Sequence, residues 1–494
     1  MENLEARIPI GLTFNDVLLV PQYSTVNSRS EIDLRTRFSK NVPLNVPIVS
    51  SPMDTVTETD MAIEMARCGG LGIVHRYNTI EEQAHMISQV KRAESFVITT
   101  PYTISQSTTV KAVQALGKAY RVHTFLVTDD THKPNELADP TLKHKLVGIL
   151  TGRDLRTALN GEQTVQDIMT PREKLTITHD PEISLKEAKK LMIEQRVEKL
   201  PIVNEKNEVL GLITLRDIIL REQRPLANLD NFGRLRVGGS VGAKDDYLER
   251  AKKLIDVGCD VLVVDIANGH AQLCIDAVER LKEQFTIDVV AGSIATAQGA
   301  ENLIKAGADG IRCGIGSGAI CTTRLVAGSG VPQLSAIFDA APICNEYNIP
   351  LISDGGNGNS GNMCKALAAG ADCVMVGRLI AGCDESPGQV LLKDGKRVKI
   401  YRGMAGYGAN LSKAQRTGAD GPNSTQFTPE GVEGYIPYCG PLKDVLNQFA
   451  QGIKSGMSYC GAHEVTELKK KAKFIRLSQS AIVESGVHDI GRFN

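Results

Sequence analysis

Cys321 sits in a glycine-dense stretch, residues 311–333 (IRCGIGSGAICTTRLVAGSGVPQ), with hydroxyls at Thr322 and Thr323 directly after it. Cysteine is partly thiolate near neutral pH, and the thiolate can bond to an electrophilic carbon. The glycines let backbone approach a ligand closely and aim N–H groups at a phosphate. A tight turn around a buried, inert cysteine has the same local composition, so the rest of the chain must weigh in. Asp354, in residues 349–358 (IPLISDGGNG), is acceptor-only when ionised and suits sugar hydroxyls. Gly355, Gly356, Gly377 and Arg378 follow two later apolar runs, and such backbone and guanidinium donors suit phosphate. Tyr401 adds a hydroxyl. Thiol, sugar acceptor and phosphate donors together point to a nucleotide substrate. Thr323 and Glu430 can pair as a proton relay; Glu430 also reads as a plain solvated carboxylate. Residues 314–319 (GIGSGA) are not a dinucleotide fingerprint, because the last position is Ala and the acidic partner about 20 residues on is missing.

These side chains are far apart in sequence, so strands must bring them to one place. Apolar runs at 46–50 and 71–76 alternate with helical patterns at 58–68 and 80–90. The rhythm resumes after residue 257. Strand-then-loop segments stand at 261–269, 286–296, 307–316, 349–358 and 370–379, with helical stretches at 243–256, 272–284, 296–306 and 362–369. Continuous apolar runs separated by helices mean parallel strands covered on both faces. Five late units and two early ones approach an eight-stranded α/β barrel, with a doubly wound sheet as the alternative. In a (β/α)8 TIM barrel the active site lies at the C-terminal strand ends. That would gather Asp265, Gly292, Gly314, Asp354, Gly377 and Arg378 around one mouth. Residues 411–435 are polar and read as a mobile loop or lid, followed by a helix over 443–456.

The 494 residues are 42% apolar with a formal charge of -1, enough for a large core and more than one domain. Such a balance offers no basic field for nucleic acid, and no run of about 18 apolar residues marks a membrane span. Eleven cysteines without a C-x-x-C pair, and no signal-peptide pattern, point to a reducing compartment. The expectation is a cytoplasmic protein. Import into a peroxisome-like organelle stays open, although the final GRFN is no readable address.

Between the two barrel parts lies a repeat. Gly148, Thr151, Arg153 and Asp154 have counterparts in Gly211, Thr214, Arg216 and Asp217, and 123–127 (HTFLV) matches 199–203 (KLPIV). Two copies that each lack a full core should pack on one another. They read either as structural repeats without a ligand or as a nucleotide site, with Thr and Asp on ribose and Arg on phosphate. The implied domains are 1–92, 93–222 and 223–494.

Over nearly its full length the chain resembles the inosine monophosphate dehydrogenase and guanosine monophosphate reductase family. The matching segments are SSPMDTVT, GIGSGAICTTR, GVPQLSAI, ISDGG, YRGM, PEGVEG and GIKSGMSYCGA. The repeat resembles a cystathionine-beta-synthase (CBS) pair, a regulatory purine-nucleotide module. The resemblance implies a (β/α)8 barrel with an inserted tandem CBS pair, in tetramers that CBS pairs can join into octamers. It implies Cys321 as the catalytic thiol with Thr323 and Glu430 for proton transfer. Substrate contacts map to Ser50, Met53, Asp354, Gly356, Gly377, Arg378, Tyr401, Gly403 and Met404. Cofactor contacts map to Asp265, Asn268, Gly314 and Thr323. A K+ site maps to Gly316, Gly318 and Cys321. Regulatory nucleotides map to Thr151, Arg153, Asp154, Thr214, Arg216 and Asp217.

The two branches of the family differ at several places. The CBS insert and PEGVEG resemble the dehydrogenase. That branch, however, carries an Arg-Tyr pair on its flap to activate water, and residues 416–427 (RTGADGPNSTQF) have none. Tyr407 lies too early to replace it. Asn268 in IANG, Ser353 in LISDGG, IAGCDESPG and the run 474–479 (FIRLSQ) are similar to the reductase. Water needs a base before it can attack a covalent adduct, whereas ammonia loss and hydride addition do not. The resemblance thus implies NADPH-dependent conversion of GMP to IMP and ammonia; the alternative is NAD-dependent oxidation of IMP to XMP. Ala319 and Ser293 depart from both branches, which usually carry Ser and Asn there. Residues 481–490 (AIVESGVHDI) have Ser485-Gly486 in place of the dehydrogenase's Ser-His step.

Overall fold

The structure, a computed structural model, describes residues 8–93, 97–98, 100–120, 122–129, 133, 135–139, 143–181, 183–222, 224–418, 420–422 and 427–486, without the side chains of 217, 220 and 221. It forms two compact units. The first comprises Met1–Ala93, Leu226–Asp230 and Leu235–Asn494; the second comprises Glu94–Pro225 and Asn231–Arg234.

The first unit is built on eight parallel strands: β1 (Ile48–Ser50), β2 (Leu71–Val74), β3 (Val237–Val241), β4 (Val261–Asp265), β5 (Asp288–Ile294), β6 (Gly310–Cys313), β7 (Leu351–Asp354) and β8 (Cys373–Val376). They close into a barrel, with β8 pairing β1 and β2 pairing β3. The helices α1 (Thr59–Arg67), α2 (Ile80–Ala93), α3 (Tyr247–Asp256), α4 (Gln272–Gln284), α5 (Ala297–Lys305), α6 (Gln333–Glu346), α7 (Ser360–Ala368) and α8 (Leu442–Tyr459) follow their strands in turn. On α4 the buried residues Cys274, Ala277, Val278 and Leu281 recur at helical spacing and face the sheet. Asn359 caps α7 by accepting from Asn362 N at 2.9 Å.

The expected barrel is therefore present, and the structure adds the strand that periodicity did not mark. β3 reads VGGSV, all buried. A Cβ on Gly238 would lie 2.5 Å from Ile73 Cδ1, and one on Gly239 would lie 2.7 Å from Leu254 Cδ1. The closeness of its neighbours keeps side chains off this strand, and with them the apolar pattern. The helix expected over 243–256 begins at Tyr247, because Asp245 takes a left-handed φ of 60° before the first turn. Inside the barrel Val49, Ile73, Val263, Val290, Ile352 and Met375 form a core with Phe38. Phe38 belongs to a hairpin (Thr36–Arg37 with Pro43–Leu44), which is tied to the strand starts by Ser39 Oγ on Asp288 Oδ2 at 2.6 Å.

Residues 411–435, expected as a loop, are partly regular. The helix Tyr407–Thr417 takes the first part, and Glu433–Pro437 pairs as a strand with Lys396–Arg402, Tyr401 opposite Gly434.

The second unit shows the repeat as structure. Thr124–Thr128 pairs antiparallel with Leu146–Thr151, and Lys199–Val203 with Val209–Thr214. Each pair follows a helix (Val110–Tyr120, Leu185–Glu194) and precedes another (Gly152–Thr157, Leu215–Glu222). Both hairpins have a register irregularity at the same place, Val127/Thr128 and Ile202/Val203. This makes Thr124, not His123, the counterpart of Lys199, a one-residue correction that swaps faces along the strand. Leu126, Ile149, Val203 and Leu212 share one core, so the copies pack on one another. Thr151 Oγ1 donates to Asp154 Oδ2 at 2.7 Å as a helix cap. Thr214 is buried, Arg153 and Arg216 are exposed, and the Asp217 side chain lies outside the described residues.

Candidate active site

β6 and β7 end side by side, and Gln333 joins them. Its buried amide donates to Cys313 O (2.9 Å) and Ser353 Oγ (3.2 Å), and its oxygen accepts from Ser317 Oγ (2.7 Å). The loop after β6 leaves through Gly314, with φ +146°, where a Cβ would lie 1.9 Å from Asp354 O. Only glycine permits that approach. Ser317 O then accepts from Gly356 N at 3.1 Å, so the thiol loop and the Asp354 loop form one rigid rim.

At the end of this loop Cys321 Sγ lies 3.1 Å from Thr323 Oγ1. The backbone after Tyr401 lies alongside it. Gly403 N donates to Val432 O (3.0 Å), Val432 N to Ile320 O (3.1 Å) and Thr322 N to Glu430 O (3.0 Å). Glu430, whose N–H is held by Ala405 O at 3.1 Å, thereby joins Cys321 and Thr323 in the wall of one cavity of about 610 Å³. That size holds a nucleotide-sized ligand.

The floor is charged. Arg312, on β6, is 5% exposed. Its Nη2 donates to Asp265 Oδ1 at 2.6 Å, and its Nε lies 3.8 Å from Asp354 Oδ2. Burial raises the pKa of Asp354, Arg312 opposes the rise and the Asp265 charge adds to it. Burial also pushes the Tyr401 phenol up. A Cβ on Gly377 would lie 3.0 Å from Tyr401 Oη and 3.1 Å from Met53 Sδ, which explains glycine at the end of β8. Elsewhere, burial pushes the thiols of Cys68, Cys259, Cys344, Cys364 and Cys383 up to about 12, which keeps them protonated.

This thiol, acid and glycine constellation at the C-terminal mouth of a barrel agrees with the family comparison: residues 11–488 match the IMP dehydrogenase / GMP reductase domain. The chain belongs to the IMP dehydrogenase / GMP reductase family. It is an oxidoreductase of that family. It is 47% identical to an inosine-5'-monophosphate dehydrogenase of Nitrosopumilus maritimus, over 97% of this chain and 98% of the relative. It is also 47% identical to a GMP reductase of Leishmania major, over 98% of each. Identity alone therefore does not separate the two branches. Among solved structures, a cysteine-to-alanine GMP reductase of Trypanosoma brucei in complex with guanosine 5'-monophosphate matches with a TM-score of 0.91 and 44% identity, covering 99% of this chain and 100% of that one. The same organism's GMP reductase in complex with guanosine 5'-triphosphate matches with a TM-score of 0.80 and 40% identity, over 96% and 100%.

Within this family site, Met53, Asp265, Gly314, Asp354, Gly356, Gly377, Arg378, Tyr401, Gly403 and Met404 all line the cavity, as do Gly316 and Gly318. Three expected positions do not. Ser50 is fully buried behind the wall, accepting from Thr57 Oγ1 at 2.8 Å, and Ser51 takes its place. Asn268 is exposed and accepts from His270 N at 3.1 Å, outside the wall. Gly292 accepts from Arg312 below it at 3.4 Å. Sequence reasoning missed Arg312, Arg76, Tyr77 and Gln333. The signal for Arg312 was a charge inside the apolar strand GIRC, since a buried arginine must have partners.

Two groups that the family implies can be tested for fit. Among the described residues no cluster of three or more His, Cys, Asp or Glu could hold a metal ion. A monovalent cation bound by carbonyls needs no such cluster. Gly316 turns with φ +78°, and Gly318 O accepts from Cys321 N at 3.2 Å. Carbonyls keep a second lone pair, so this loop suits a hard cation. For a nicotinamide cofactor, Asp265, Gly314 and Thr323 share the wall with the thiol, so acceptor and donor groups fit it.

Proposed function

We propose that this protein is an NADPH-dependent GMP reductase. The observation that carries the reading concerns the flap's arginine. Residues 411–430 contain one, Arg416, followed by Thr417 rather than tyrosine. Its guanidinium pairs with Glu58 at 3.2 Å and is not part of the cavity wall. A dehydrogenase must activate water against its covalent adduct, and among the described flap residues no arginine lines the cavity for that step. The solved GMP reductase structures that span the whole chain support the same branch.

In this reading Asp354 accepts the ribose hydroxyls. Backbone at Gly356 and Gly377 holds the phosphate with Arg378 and Tyr401. Cys321 adds through its sulfur to C2 of the guanine. Thr323, oriented with Glu430, passes a proton to the 2-amino group, which leaves as ammonia. NADPH, when bound, supplies the hydride to C2. Asp265 and Gly314 would hold the nicotinamide in the cavity they line. The C2–S bond then breaks, giving IMP and the free thiolate. Carbonyls of Gly316, Gly318 and Cys321 would hold K+. The second unit is a CBS pair that takes purine nucleotides at Thr151, Arg153, Asp154, Thr214, Arg216 and Asp217, and the chain assembles into tetramers or octamers.

The deciding experiment mixes purified protein with GMP and NADPH and identifies the product. IMP and ammonia are expected, with little NADH formed from IMP and NAD. Vigorous XMP formation would assign the protein to the dehydrogenase branch. Cys321→Ala should still bind GMP and oxidise no NADPH. Adding purine nucleotides should change activity or assembly. Deleting residues 93–220 with neither altered would leave the second unit merely structural.

A further inference from the structure

The helix Tyr407–Thr417 stands in sequence between Met404, at the cavity, and Glu430, which returns to it. Its first end is held by the loop after β2. Tyr77 Oη donates to Met404 O at 3.0 Å, and Asn410 Nδ2 donates to Met404 O (3.1 Å) and Gly406 O (2.9 Å). Near its last turn Lys413 Nζ lies 5.5 Å from the centre of the Tyr77 ring, and Arg416 Nη1 donates to Glu58 Oε1 at 3.2 Å. The same oxygen accepts from His75 Nε2, also at 3.2 Å. His75 has no exposed side-chain surface, whereas Glu58 retains 26%. Tyr77 N donates to His75 Nδ1 at 3.2 Å, which leaves Nε2 as the nitrogen that carries the proton toward Glu58. Residues 75–77 thus anchor both ends of the flap helix, one through Tyr77 and the other through His75 and Glu58.

Exposed ion pairs usually contribute little, because two flexible side chains must be ordered together. Here a buried histidine has already oriented Glu58. Burial raises the Glu58 carboxyl, but the His75 hydrogen bond and the Arg416 charge and hydrogen bond oppose it, and the group lies below the ordinary carboxylate range. A cation in the last turn also faces the negative end of the helix. We infer that Arg416 is a positioning residue: through Glu58 and His75 it latches the flap helix, and so keeps Glu430 in register with the Cys321 loop. Arg416 does not touch substrate. Its effect on turnover rests on the reductase reading; the latch itself does not.

The test uses the full chain and the variants Arg416→Ala, Arg416→Lys and Glu58→Gln. Without nucleotide, amide exchange over residues 407–417 should quicken in Arg416→Ala and return toward normal in Arg416→Lys. The kcat for GMP reduction should fall about fivefold in Arg416→Ala, the size expected for one oriented ion pair, while KM for GMP stays within about twofold and the melting temperature is unmoved. Arg416→Ala combined with Glu58→Gln should be no worse than either alone. Unchanged exchange together with unchanged kcat, or additive losses in the double variant, would overturn the latch. Should Glu58→Gln not fold, the Arg416→Ala and Arg416→Lys pair decides by exchange and kcat. Should the protein oxidise IMP instead of reducing GMP, the reductase reading fails while the exchange result still decides the latch.

Discussion

Thr322 donates its backbone N–H to the carbonyl of Glu430 at 3.0 Å, so the loop that carries the thiol and the segment that carries the acid are one piece. That contact is made main chain to main chain, without the Glu430 carboxyl. Glu430→Gln should therefore keep the geometry and lose the proton transfer. We expect kcat to fall by about two orders of magnitude, within the usual range for general acid–base groups, with GMP affinity retained by calorimetry. Thr323→Val, which removes the hydroxyl 3.1 Å from Cys321 Sγ, should behave alike, and the two losses should not add. Loss of GMP binding in either variant would show that these groups hold substrate rather than move protons.

In the proposed reading Asp354 must be ionised to accept two sugar hydroxyls. Burial raises its pKa, with the charge of Asp265 adding and Arg312 opposing. The carboxylate form is thus lost as pH falls through a value above the ordinary one of about 4. The acid limb of kcat/KM for GMP should stand above that value. Asp354→Asn should lose affinity about tenfold or more, as for a removed charged hydrogen bond, and should lose that limb. An unshifted limb in the asparagine variant would assign it to another group.

Gly314 has no room for a side chain. Gly314→Ala would press a Cβ against Asp354 O, 1.9 Å away, at a φ of +146°. The expected outcome is a lower melting temperature and weakened GMP binding together, since the clash displaces the ribose acceptor. Gly388→Ala is the control for backbone strain alone, because its φ is +91° with nothing within 4 Å; it should cost stability and leave GMP affinity intact.

Phe38 fills the floor of the barrel and is fully buried. Phe38→Ala should destabilise the protein by about 3–5 kcal/mol, the usual loss for a large core aromatic, measured by denaturant unfolding. A loss under about 1 kcal/mol would mean the hairpin is not a plug.

The β/α rhythm and the thiol were legible because they are local: an apolar run declares a strand, and Cys321 declares itself by its glycines and neighbouring threonines. The repeat was legible for the same reason, although a one-residue offset in its first strand needed the hairpin pairing to settle. β3 escaped because tight packing against Ile73 and Leu254 removes the side chains on which periodicity depends. Ser50 was expected at the site and Ser51 stands there, because strand alternation turns every second side chain away from a face, and motif matching does not count faces. Residues 411–435 hid a helix and a strand under a polar composition.

Local composition could thus name candidate reacting groups and the kind of barrel that displays them. What it could not supply was distance: the 2.6 Å between Arg312 and Asp265, the seam between Thr322 and Glu430, and the pairing of Arg416 with Glu58. Each joins residues that are tens to hundreds of positions apart, and such encounters exist only once the barrel has closed.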